Sequence, residues 1–469
     1  MKRIEKDVLQ NGSSVAMRPG DGLNPESIPP LSQAERSMIT ANILSMLLLR
    51  IASRTSFVVL SFYLGARFAS TTTVVLVLEA FYVSEFILAP IVGSLTDRLG
   101  RKPFLLAAPI VGCAAALCQF IAASLFPRPD AMHFDTHVML LLLVVMVGRL
   151  LEGATTGINA PASLGSLTDV TIGREKLRIR VMTIFEIATV GGLALAIPFG
   201  GKVSNALGIW GFFVVMALHL ASIVIIATLL KESAQRESRS AHSSLFESLR
   251  LLRYARIFTF LPAWLAINAL VGAWITLCTL ILAYPEPAAD VRFPHQLLYG
   301  GFSQTTASLL VGAFGLVFLL GMGLWMLILP GLRRTTVMCC GLVGLGMSIG
   351  ALVLINGLGE NPTHLPAGTM PALVLLLLLV VVGIFLLSGF TPAALTQMAA
   401  IAETFPGKRG AVMGLYSVVL GMGQLLGAVV GGISVDLDGF YGLMGFSAIL
   451  GAIALGCVLF MRLKRYDCI

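Results

Sequence analysis

The stretch Gly93-Ser94-Leu95-Thr96-Asp97-Arg98-Leu99-Gly100-Arg101-Lys102-Pro103 closes one apolar run, Val74 to Val92, and precedes another that starts at Phe104. A glycine turn, one aspartate and a tight Arg98/Arg101/Lys102 cluster thus join two apolar helices on one face of a bilayer. Apolar runs recur along the chain, and about 20 such residues suffice to cross roughly 30 Å of hydrocarbon. Only helices or closed barrels satisfy the backbone there, and runs that are apolar throughout are helices. The 469 residues are 57% hydrophobic and 12% charged, against about 25% charged in soluble domains, which excludes a row of soluble domains. The runs predict twelve transmembrane helices, near 39–65, 73–95, 104–126, 137–160, 180–203, 209–230, 258–284, 305–329, 335–357, 371–395, 410–433 and 440–462.

The placement of charge orients them. The net charge of +8 invites a nucleic-acid reading. However, 25 of the 32 Lys and Arg residues fall in the tails and alternate connections on one side, and only Arg67, Arg128, Lys202 and Arg292 fall in connections on the other. This is the positive-inside pattern, so both termini are expected in the cytoplasm of a multi-pass cell-membrane protein that binds no nucleic acid. Residues 1–38 are polar and rich in Pro and Gly, and read as a disordered cytoplasmic tail. Residues 39–230 and 258–462 form two six-helix bundles, 231–257 a cytoplasmic linker with an interfacial helix, and 463–469 a cytoplasmic tail. The cysteines show no disulfide or zinc spacing.

The 93–103 segment resembles motif A of the major facilitator superfamily, Gly-x-Leu-x-Asp-Arg-x-Gly-Arg-Lys. Gly93, Leu95, Asp97, Arg98, Gly100, Arg101 and Lys102 all match. Arg149-Leu-Leu-Glu-Gly153 resembles motif B, Arg-x-x-Gln-Gly, with Glu152 in place of Gln. Residues Ala194 to Gly201 resemble motif C of proton antiporters, with Ile197 where a Gly would precede Pro198. The resemblance covers residues 39 to 462. It implies an all-α membrane protein of twelve transmembrane helices in two six-helix parallel-repeat bundles, similar to drug-proton antiporters. It also implies that Gly93, Asp97, Arg98, Gly100, Arg101 and Lys102 form a conformational latch, with Asp97 capping a neighbouring helix or pairing with a first-half arginine.

An internal repeat at an offset of 231 supports two halves. Val181-Met182 maps to Val412-Met413, Gly192 to Gly423, Gly200-Gly201 to Gly431-Gly432, and Pro161-Ala162 to Pro392-Ala393. An offset of six helices preserves orientation, so the repeat is parallel and the substrate site is expected between the halves near the midplane.

Charges inside a membrane are costly and mark function or pairing. Seven stand out, all in the first half: Arg50, Arg54, Glu79, Glu85, Arg149, Glu152 and Glu186. Arg50 and Arg54 share one helical face. The next helix runs the opposite way, which predicts Arg50 near Glu85 and Arg54 near Glu79, although Glu79 and Glu85 stand about 120° apart around their helix. A static pair that only aids insertion is the alternative. Arg149 is expected to govern the protonation of a nearby carboxylate; Glu152, one turn away, is its alternative structural partner. One carboxylate is left without an arginine, and such a group can bind protons near neutrality. Glu186 is the loneliest by sequence, with Glu152 and Glu79 as rivals.

The second half is nearly free of charge. Asn268, Trp274, Gln304, Gln397, Tyr416 and Gln424 are its candidates for a mixed polar and apolar substrate cavity. His133 and His137 stand four apart in an outer loop with no third ligand, so no metal is expected. No nucleotide-binding loop or nucleophile–base pair appears. The expectation is a non-enzymatic secondary transporter without cofactor, driven by the proton gradient. It would export a small amphipathic or hydrophobic molecule by alternating access, as a monomer. A lipid or lysolipid flippase of the same fold and a non-transporting receptor or scaffold are the alternatives.

Overall fold

The computed structural model describes residues 31–68, 70–125, 136–171, 174–230, 254–283, 293, 295–329, 332–359, 368–403 and 409–466. The expected tail and linker therefore lie largely outside the described residues, as do His133 and the side chains of Asp97, Arg98, Glu186 and Tyr416. The described chain is helical: α1 (Gln33–Gly65), α2 (Thr71–Leu99), α3 (Lys102–Leu125), α4 (Thr136–Val170), α5 (Glu175–Leu207), α6 (Gly211–Leu229), α7 (Ala255–Leu282), α8 (Gln304–Ile328) and α9 (Arg334–Asn356). Helix α10 comprises Met370–Ser388 and Phe390–Glu403, broken at Gly389. The last helical stretch, Arg409–Leu463, bends at Asp438 and Gly439 into α11 (409–437) and α12 (440–463). Ten stretches are long and apolar enough to cross a membrane, and two of them, Ile187–Leu229 and Val418–Leu463, each run through two helices. Leu117 and Ile121 of α3, Leu375 and Leu378 of α10, and Ile449 and Ile453 of α12 are exposed on outer faces, where lipid replaces water.

Local chemistry sets the helix ends. Ser32 and Glu35 form a capping box that starts α1 six residues before the expected 39. The turn in the 93–103 segment is not at Gly93. That residue lies inside α2, where a Cβ would sit 3.7 Å from Pro161 of α4. The chain turns instead at Gly100, whose φ of +89° belongs to the left-handed region that glycine tolerates. Gly439, at φ +56°, makes the α11–α12 corner, which Gln296 staples by accepting from the Phe440 amide (2.8 Å) and donating to the Asp438 carbonyl (3.1 Å).

The repeated glycines show what the two halves share. Gly192 and Gly200 of α5 lie against α1, while Gly423 and Gly431 of α11 lie against α7. The second glycine of each Gly-Gly pair faces the opposite half: Gly201 meets Ser308 of α8, and Gly432 meets Thr72 of α2. One apolar core runs across both halves at the end away from the start of α1 and the end of α12, joining Phe57, Leu64 and Leu78 to Leu277, Ile281 and Val435. A smaller cross-half cluster holds Ile197, Leu282, Ala307 and Val311. Toward the end where α1 starts and α12 stops, beside Arg101 and Arg334, each apolar cluster among the described residues belongs to a single half. These ends are termed the far end and the basic end.

Candidate functional site

The densest polar network sits where α1, α2, α3 and α4 meet. Gly153 and Gly157 let α4 approach the α2 backbone: a Cβ on Gly153 would overlap the Phe81 carbonyl, and one on Gly157 would sit 3.1 Å from the Glu85 carbonyl oxygen. Ser84 Oγ donates across the same contact to the Leu150 carbonyl (2.6 Å). One turn from Gly153, Arg149 is 3% exposed. Its Nε donates to the Leu78 carbonyl (2.8 Å) and its Nη1 pairs with Glu152 Oε2 at 2.5 Å. The guanidinium lies 5.1 Å from the Phe81 ring centroid and 5.6 Å from that of Phe57. Glu152, 2% exposed, also accepts from Gln119 Nε2 (3.0 Å) and Ser56 Oγ (3.2 Å). Two charges held this far from water persist only with partners at hand, and here three helices besides α4 supply them to Arg149 and to one oxygen of Glu152, whose Oε1 has no hydrogen-bond partner among the described residues. Glu152 is thus the ion partner of Arg149 in this arrangement.

Glu79 is placed differently. It is 1% exposed, and its Oε1 accepts from Thr276 Oγ1 of α7 at 2.7 Å, a bond between the two halves. Its Oε2 has no hydrogen-bond partner among the described residues. Arg54 and Arg149 lie within electrostatic reach of Glu79, as do Arg50 and Arg54 of Glu85. The crossed arrangement expected from sequence does not close into ion pairs. Tyr82, one turn from both carboxylates on α2, takes the Arg54 guanidinium at 2.9 Å. Arg54 also lies 5.1 Å from the Phe57 ring centroid, and Arg50 keeps a buried Nε without a partner.

At the basic end, Arg101 makes a two-point contact with Asp169 of α4, at 2.7 and 3.3 Å. Its guanidinium occupies the space that a side chain at Gly165 would need. Lys102 opens α3. Arg174 pairs with Glu35 at 3.1 Å, tying the start of α5 to that of α1. Both ties lie within the first half.

The second-half polar residues do not converge. Asn268 Nδ2 donates to the Trp264 carbonyl of its own helix (2.8 Å), and Trp274 Nε1 to Ser447 Oγ (2.8 Å). Gln397 accepts from Arg334 (3.2 Å) and donates to the Tyr466 carbonyl (2.9 Å) near the basic end. Gln304 accepts from Ser204 of α5 (2.9 Å) at the far end. The backbone of Gln424 lies where a Cβ on Gly272 would go, so it marks the α7–α11 contact.

A family model described as Major Facilitator Superfamily matches residues 43–293 and 293–467. The chain belongs to the major facilitator superfamily. Its members are transporters, not enzymes, and need no cofactor. This superfamily transporter is 26% identical over 195 residues to the class C tetracycline resistance protein of Escherichia coli, covering 41% of the chain and 43% of the relative. It is 24% identical over 177 residues to the quinolone resistance protein NorB of Staphylococcus aureus, covering 38% and 33%. The matched stretch thus spans less than half the length of either relative. Among solved structures, the nucleoside transporter NupG superposes with a TM-score of 0.64 at 15% identity, covering 90% of this chain and 98% of that one. A D-xylose-proton symporter superposes at 0.63 and 16%, covering 91% and 97%. These likenesses establish the fold of the transporter and leave its substrate open.

Several partners in the transporter's network escaped the sequence reading. Ser56, Gln119 and Thr276 are uncharged residues in apolar helices and carry no motif. Tyr82 had a visible signal, since it stands three residues from both Glu79 and Glu85.

Proposed function

We propose that the protein is a proton-coupled exporter of a small amphipathic or hydrophobic molecule, with Glu79 as the coupling carboxylate. The observation that carries this reading is the bond between Glu79 and Thr276. A carboxyl whose hydrogen-bond donor among the described residues comes from the opposite half changes its surroundings whenever the halves part. Proton uptake or release at Glu79 is thereby linked to the conformational step, as alternating access requires. Arg149 is committed to Glu152, so it acts on Glu79 through its field and not through contact. The relatives named for tetracycline and quinolone resistance support export. With the basic end in the cytoplasm, the cross-half core at the far end closes the outer side, and among the described residues no apolar cluster joins the halves on the inner side, from which an exporter loads.

The test is proton movement in liposomes containing the purified protein, followed with a pH-sensitive dye while pools of amphipathic compounds are added. Substrate-dependent flux is expected in the wild type and is lost in Glu79→Gln. Flux retained in Glu79→Gln and lost in Glu186→Gln would move the coupling site to α5. Movement of a fluorescent lysolipid without proton flux would instead favour the flippase.

A further inference from the structure

We propose that Asp436 locks the far end of the transporter shut by capping α2 across the boundary between the halves. The internal repeat supplies the comparison. Two seams join the halves, α5 against α8 and α2 against α11, each opened by the second glycine of a repeated Gly-Gly pair. Each seam ends at a helix start capped by its own serine: Ser303 for α8 and Ser70 for α2. In the α5–α8 seam the cross-half tie is neutral, Ser204 Oγ to Gln304 Oε1 at 2.9 Å. In the α2–α11 seam it is a carboxylate. Asp436 Oδ1 accepts from the Thr71 amide (2.8 Å), and Oδ2 accepts from the Thr72 amide (3.0 Å), Thr72 Oγ1 (2.6 Å) and Ser70 Oγ (3.0 Å). At the repeat offset of 231, the first-half position is Asn205.

The first turn of a helix leaves amides that the helix itself cannot satisfy, and its dipole favours negative charge there. In α2 these amides are shared out. Ser70 Oγ takes the Thr73 amide (3.2 Å) and the Ser70 carbonyl takes that of Val74 (3.3 Å). Those of Thr71 and Thr72 go to Asp436 on the other half. The start of α2 is therefore completed by a second-half residue, and only while the far end is closed. Bonds that exist in one state alone bias the equilibrium toward it.

The lock is tested by pulsed dipolar spectroscopy between spin labels at Leu207 and Leu354, exposed far-end positions on opposite halves, in a cysteine-free background. The unaltered seam should show a short distance as its main component. Asp436→Asn, equal in size but uncharged, is expected to shift the closed-to-open ratio toward a longer distance by about tenfold. Thr72→Val keeps both amides and removes one hydroxyl donor, so it should shift the ratio the same way by less. Ser204→Ala in the neutral seam should shift it less than Asp436→Asn. An unchanged distribution in both Asp436→Asn and Thr72→Val overturns the lock, as does a long distance already dominant before substitution. The readout needs neither substrate nor proton flux, so its failure is distinguishable from failure of the Glu79 reading.

Discussion

Arg149 and Glu152 contrast with Glu79 in what surrounds them. The pair is enclosed by Leu78, Ser56, Gln119 and the rings of Phe57 and Phe81, all from the first half, so parting the halves leaves it intact. Removing one member strands a buried charge. Arg149→Met should therefore cost about 3–5 kcal/mol and appear as a large fall in melting temperature in detergent. Combining it with Glu152→Leu should recover much of that loss, because a matched apolar pair needs no donors. A double variant as unstable as Arg149→Met alone would show that the arginine serves something besides its pair. Thr276→Val probes the other carboxylate. It removes the Thr276 donor to Glu79 at little change in volume, and a bond to a charged acceptor is worth about 1.5–3 kcal/mol. Proton-coupled transport should fall at least about tenfold, while the fall in melting temperature stays smaller than that of Arg149→Met. Unaltered coupling in this variant would remove Thr276 from the mechanism.

At the scale of the helices, glycine spacing decides how closely neighbours approach. Gly153 sits against the α2 carbonyls, whereas Gly456 on α12 faces open space. Gly153→Ala should push α4 from α2 and displace Arg149 from the Leu78 carbonyl, lowering stability and transport together. Gly456→Ala should be neutral or slightly stabilising, by up to about 1 kcal/mol, and thermal melts of the two variants would check the contrast. The sequence showed which segments cross the membrane, because lipid demands long apolar runs and the charged turns interrupt them. It showed the helix ends less well. Apolar periodicity stops where hydrocarbon stops, but α1 begins earlier on its capping box, and α2 continues through the 93–99 segment to the turn at Gly100. The buried charges were also visible, since each is an exception in an apolar run. Their partners were not. Tyr82 intercepting Arg54 and Gln119 reaching Glu152 depend on how four helices rotate about their axes, which spacing along one helix does not fix.

For the whole molecule, the repeat announces two halves, but the bonds between them come from residues with no motif: Thr276, Ser204, Gln304 and Asp436. They lie at mid-depth or at the far end, together with the core that spans both halves. Which side of the membrane is closed in this state then depends on which way the far end faces. Of the 32 Lys and Arg residues, 25 belong to sequence segments assigned to one side, and on the positive-inside rule we propose that this basic end faces the cytoplasm. A membrane-impermeant maleimide applied to intact cells tests this directly. In a cysteine-free background, Trp210→Cys at the exposed far-end turn should label without permeabilisation, and Leu463→Cys at the end of α12 only after it. The reverse pattern would place the closed end in the cytoplasm. The state described here would then be the one closed on the cytoplasmic side, and the Asp436 cap would lock the inner side instead of the outer one.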